Sequence, residues 1–161
     1  MPNISHIDPE NNISSRINFK YYTLNEFHNS TIIKQSLLDK GFSVLHSNIR
    51  SMSKHFDSLN QMRCDLDYPF HLIGISETWL KPDNHLNFDL SGYTFLSQPT
   101  SQRAGGVGMF INSHLKYHAR FDLSTCTDEC ETLWVEIKNH LDKNTLCGII
   151  YRHPNSNIES F

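Results

Sequence analysis

The stretch Phe70–Ser76, FHLIGIS, is nearly all apolar and is bounded by turn residues. A strand of that composition has no polar face to turn to water, so other layers must cover both of its sides. Upstream, Phe42–Asn48 reads as another strand, led by Val44 and Leu45. Between them Phe56, Leu59, Met62 and Leu66 recur at helical spacing, with Ser51 and Ser53 as N-cap candidates. Strand, helix and strand form a unit that the handedness rule makes a right-handed parallel crossover. After a polar loop at Lys81–Asn87, the pattern predicts strands at Gly92–Leu96, Val107–Asn112, Tyr117–Leu123, Thr132–Lys138 and Thr145–Tyr151. Asp142-Lys143-Asn144 reads as a hairpin connection between the last two. The class is α/β or α+β, with strands in the majority.

Composition shifts near residue 41. Residues 1–20 read as a disordered leader. Residues 21–40 read as a partly ordered arm, in which Leu24, Phe27, Ile32, Ile33, Leu37 and Leu38 line a weak helix. A length of 161 residues suits one domain, or one domain plus a tail. With 14 Lys and Arg against 17 Asp and Glu, the formal charge is -3. That excludes a strongly basic nucleic-acid module and leaves room for a local basic patch. At 38% hydrophobic and 11% aromatic residues the chain has the material for a real core. No apolar run approaches the about 18 residues of a membrane span, and the N-terminus, MPNISHIDPENN, has no apolar signal core. The expectation is a soluble intracellular protein, nuclear or cytoplasmic. In that setting Cys64, Cys126, Cys130 and Cys147 are free thiols.

Polar residues stand where two buried strands end. Asn48 closes the first, and Glu77 directly follows the second. If the strands are parallel neighbours, both emerge at one carboxyl edge, where open α/β sheets place ligands. A carboxylate beside an amide suits a hard, oxygen-coordinated cation such as Mg²⁺, with the amide orienting a phosphate. The plainer alternative is that Glu77 caps its loop and Asn48 caps a turn.

The segments FSVLHSNIRSMSKHFDSL, FHLIGISETWL, LSGYTFL, RAGGVGMFI, ETLWVEI and CGIIYRHP, taken in order, carry a resemblance. Over roughly residues 20–155 the chain resembles the N-terminal part of the endonuclease/exonuclease/phosphatase superfamily. Within that superfamily it is most similar to the apurinic-like endonuclease of non-LTR retrotransposons of the LINE, jockey type. With the polar leader and arm over 1–40 read from composition, the resemblance implies a truncated domain of this family over 41–161. The implied fold is part of a two-sheet β-sandwich flanked by helices, four layers in the order α/β/β/α. The implied activity is a Mg²⁺-dependent phosphodiesterase that nicks target DNA for retrotransposition. In that setting Asn48 positions the scissile phosphate, Glu77 is a ligand of the Mg²⁺, and Tyr151 donates its hydroxyl to the phosphate or assists the leaving group. Arg103 and Gly105-Gly106 match an Arg-x-Gly-Gly segment, and Arg50, Arg103 and Arg152 are the candidates for meeting the DNA backbone.

The family continues with a Gly-Asp-x-Asn motif and then a Ser-Asp-His motif for proton transfer. Neither occurs in these 161 residues. Asp142-x-Asn144 and Asp83-Asn84-His85 have related letters, but both precede Tyr151 and read as ordinary loop residues. The expectation is a catalytically incomplete set, with any reverse transcriptase partner on chain outside this sequence. The alternatives are an inactive retroelement remnant, or a non-enzymatic binding module. The module would use zinc held by His114, His118, Cys126 and Cys130, but that cluster lacks a Cys-x2-Cys knuckle and falls in strand-rich sequence.

Overall fold

The computed structural model describes residues 22–38, 41–83, 86–138, 143–154 and 156. The expected leader, Asn84-His85 and Asp142 lie outside the described residues. The crossover unit is present: β1 (Val44–Asn48), α3 (Met52–Leu66) and β2 (Leu72–Ser76), with β1 and β2 parallel neighbours. Their register sets Asn48 opposite Ser76, so both strands end at the same level. Ser51 occupies the N-cap of α3, yet makes no side-chain cap bond. Its N–H and that of Met52 instead donate to the carbonyls of Glu77 and Thr78.

β3 (Tyr93–Gln98) and β4 (Val107–Asn112) complete a first sheet of order β1-β2-β4-β3. A second sheet is built on β7 (Cys130–Ile137), which pairs antiparallel with β8 (Thr145–Arg152) along its whole length. Short β5 (Tyr117–Ala119) and β6 (Thr125–Cys126) pair with opposite ends of β7. The expected strand over Tyr117–Leu123 is therefore cut short. Arg120 folds back on Asp122 through bonds of 2.8 and 2.6 Å, and the N–H groups of Leu123 and Ser124 turn onto the Arg120 carbonyl.

Strand alternation assigns each side chain to a layer. Ile73, Ile75 and Phe110 face α3, and pack with Met52, Leu59 and Leu66. Leu72, Val107, Met109 and Ile111 face the second sheet and meet Leu133, Val135, Ile137 and Ile149. The class is α/β, with two packed sheets and helices against the first. Gly74 points at the second sheet, where a Cβ would meet Ile149 Cδ1 at 3.0 Å, so glycine lets the layers close.

The arm forms two helices where one was expected: α1 (Leu24–Asn29) and α2 (Thr31–Leu38), with Ser30 extended between them. A capping box of Thr23 and Glu26 starts α1. Phe27 anchors it by packing on Tyr68 and Phe70. Ile32, expected on the apolar stripe, is 81% exposed. No described helix is long and apolar enough to cross a membrane.

Candidate active site

Three loops meet at the carboxyl ends of β1 and β2. They continue the sheet as a ladder of backbone bonds. Ile49 N–H donates to Ser76 O, Ser51 N–H to Glu77 O, Thr78 N–H to Gly106 O, and Trp79 N–H to Gly105 O, all within 2.8–3.1 Å. The path is tight. Arg50, Ser51, Glu77 and Trp79 all have positive φ, a conformation disfavoured for residues with a Cβ. Gly105 and Gly106 share it, and a Cβ on Gly105 would lie 2.6 Å from a carboxylate oxygen of Glu131.

This ladder brings Asn48 and Glu77 together: Asn48 Nδ2 donates to Glu77 Oε1 at 2.8 Å. Tyr151 arrives from the second sheet, on the inward face of β8. Its phenol is pushed up by burial first, then by the negative charges of Glu77 and Glu131 and by a hydrogen bond with Glu77. A phenol is already protonated at neutral pH, and the shift moves it further from ionisation, so Tyr151 is a donor there. Glu77, Tyr151, Arg50 and Arg103 line one cleft of about 550 Å³, with Trp79 and His153 on its wall. Trp79 and Trp134 are both half-buried. The ring of Trp134 lies against Gly148 on the other side of the second sheet. Arg152 alternates to the face opposite Tyr151, and its guanidinium donates to Ser156. Tyr151 and His153 meet edge to face, with ring centroids 5.2 Å apart.

Two residues escaped the sequence reading: His153 on the cleft wall and Glu131 buried behind it. Glu131 is 0% exposed. Its Oε2 accepts from Gly106 N–H at 2.6 Å, and its Oε1 lies 3.4 Å from His153 Nε2. The signal was available in the period of β7: Glu131 shares parity with Leu133, Val135 and Ile137, so it is the one carboxylate on a stripe otherwise packed between the sheets. Glu131 Oε1, His153 Nε2 and Trp79 Nε1 are buried without a hydrogen-bond partner among the described residues.

Metal-ligand chemistry is sparse elsewhere. Among the described residues no three His, Cys, Asp or Glu side chains gather as a metal-holding group, so His114, His118, Cys126 and Cys130 do not converge on a zinc site. Asp83 sits in an exposed turn. At the cleft, Glu77 offers one carboxylate beside the amide of Asn48. That set fits Mg²⁺, which is commonly held by one or two carboxylates while keeping water and substrate phosphate as its other ligands.

No family model matches the sequence, and no curated protein matches it. Among solved structures, the chain is similar to the AP endonuclease LMAP from Leishmania major, with a TM-score of 0.49 and 11% identity. The match covers 84% of this chain and 52% of that one, so the chain spans about half the length of the structure it matches.

Proposed function

We propose that this chain carries the metal- and phosphate-binding part of a Mg²⁺-dependent DNA phosphodiesterase, an endonuclease of the retrotransposon type. The observation that carries it is the 2.8 Å bond from Asn48 to Glu77 at the ends of parallel neighbours, with Tyr151 drawn to the same carboxylate from the other sheet. Glu77 is the residue to hold the metal. When bound, Mg²⁺ supplies positive charge to the phosphate oxygens as a Lewis acid. Asn48 fixes the Glu77 carboxylate and keeps its amide at the same edge, where it orients a phosphate. Tyr151, a neutral phenol, donates a hydrogen bond to the developing charge. Arg50 and Arg103 flank the cleft with the charge a DNA backbone requires.

The residues that move protons in this family lie in motifs that the present sequence does not contain, so binding is the property to test first. Mn²⁺, as a paramagnetic stand-in, is titrated into the wild type and Glu77→Ala and followed by electron paramagnetic resonance. The expected result is a loss of affinity of about tenfold or more in Glu77→Ala. Equal affinity in the two folded proteins overturns the proposal. Plasmid nicking in Mg²⁺ then separates binding from catalysis: nicking that disappears in Glu77→Ala means that a complete site assembles, and silence from both folded proteins means the chain binds without cleaving.

A further inference from the structure

We infer that Glu131 is a positioning residue that holds the Glu77 loop of the first sheet in register with Tyr151 of the second. The inference rests on the proposed pairing of Glu77 with Tyr151, and concerns what keeps two groups on separate sheets at a working distance.

The sheets meet through aliphatic side chains, which are non-directional and leave sliding between layers weakly opposed. At the cleft end the stripe changes character. In the position beyond Leu133, where packing alone asks for another aliphatic residue, stands the fully buried carboxylate of Glu131. It reaches from β7 across to the first sheet, and accepts from Gly106 N–H at 2.6 Å. The carbonyls of Gly106 and Gly105 in turn receive the N–H groups of Thr78 and Trp79, the residues that follow Glu77. On its own sheet Glu131 stands directly opposite Tyr151 in the β7–β8 register, and its other oxygen faces His153. One side chain thus links, within a few bonds, the loop that carries Glu77 and the strand end that carries Tyr151. Gly105 is glycine for the same reason, since a Cβ there would press on the carboxylate and on His153 Cε1 at 2.8 Å.

A buried charge is a poor source of stability, and an apolar side chain of similar volume is often neutral or better. This separates positioning from structural support. Glu131→Leu continues the aliphatic stripe and removes the acceptor, while Glu131→Gln keeps an oxygen for Gly106 and removes the charge. The experiment is native-state amide hydrogen exchange by NMR on the whole chain, without metal or DNA. In Glu131→Leu, exchange at Gly106, Thr78 and Trp79 is expected to accelerate roughly tenfold or more, the consequence of losing a hydrogen bond to a charged group. Amides of Ile73–Ile75 and Val135 stay as protected as in the wild type, and Glu131→Gln restores the slow exchange.

Uniform acceleration across all amides, no change at Thr78 and Trp79, or failure of Glu131→Gln to restore protection each overturns the inference. If Glu131→Leu does not fold, Glu131→Asp, which draws the carboxylate back, is read by the same amides and the same criteria. Because the readout needs neither Mn²⁺ nor DNA, failure of the metal-binding test leaves it standing, and the reverse also holds.

Discussion

The two faces of the first sheet are closed in different ways. Toward α3 the core is aromatic: Phe56, Phe88, Phe95 and Phe110 form a chain of ring contacts at 4.5–6.1 Å, sealed by the helix. Toward the second sheet the buried stripe is aliphatic, and its flank is open. Val44 on β1, which shares the inward parity of Leu72, is 56% exposed, and on the outer face of β8 Leu146 and Ile150 are 48% and 46% exposed. A small cavity of about 380 Å³ opens between β1 and β8, lined by Val44, His46, Gly74 and Cys147–Ile150. β1 and β8 each have one edge without a strand partner among the described residues. The helix-covered face is closed within one layer of rings and helix, whereas the sandwich face, which the buried side chains of β2 and β4 equally require, has an unsealed margin beside residues drawn from two sheets.

This contrast can be broken by mutation. Phe110→Ala removes the centre of the ring chain and is expected to cost about 3–5 kcal/mol, read as a shift in urea midpoint. Ile149→Ala, on the sandwich side, is expected to lie near the low end of its class, about 2 kcal/mol, because an open flank lets water or neighbours relax into the space. Equal losses for the two variants would mean that the sandwich interface is as tightly sealed as the helical one.

Cysteine chemistry sharpens the same point. Burial pushes the Cys147 thiol up, whereas Cys64 and Cys126 are exposed. Alkylation is expected to label Cys64 and Cys126 first and Cys147 last, as followed by mass spectrometry of peptides. The folded thiol titrates above its unfolded value of about 8.5. Its contribution to stability is complete below that value and declines as pH rises toward the folded pKa. Early labelling of Cys147 would mean that the β8 edge opens readily. The smallest effect on stability belongs to Ile150→Lys, at an exposed position of that edge. It is expected to change stability by no more than about 0.5 kcal/mol while lowering concentration-dependent association in sedimentation, since charge on an open strand edge opposes edge pairing.

The elements most legible in the sequence were those decided by burial on both faces. β2 and β4 show continuous apolar runs, and the structure ends β4 at the expected residues, Val107–Asn112. The helix between β1 and β2 was legible from its period. Less visible were features decided by local polar geometry: the Arg120–Asp122 turn, the short β6 pairing, and the break at Ser30. Asn48 and Glu77 drew notice as polar residues at the ends of buried strands, and the structure joins them by one bond. Tyr151 entered through a family resemblance. Glu131 did not enter, because a Glu at the head of a strand reads as a solvent-facing terminus until the parity of the inward stripe is counted through it.

The positive φ angles at Arg50, Ser51, Glu77 and Trp79 bear on how such a sequence changes over generations. Each is held in a backbone conformation that glycine adopts without penalty, at a cost of order 1–3 kcal/mol. A lineage that uses Glu77 as proposed keeps it despite that cost. A lineage released from that use gains stability by substitution to glycine at these positions. At these four loop positions relief of strain and loss of the proposed chemistry pull in the same direction, which is true of neither the aromatic nor the aliphatic core.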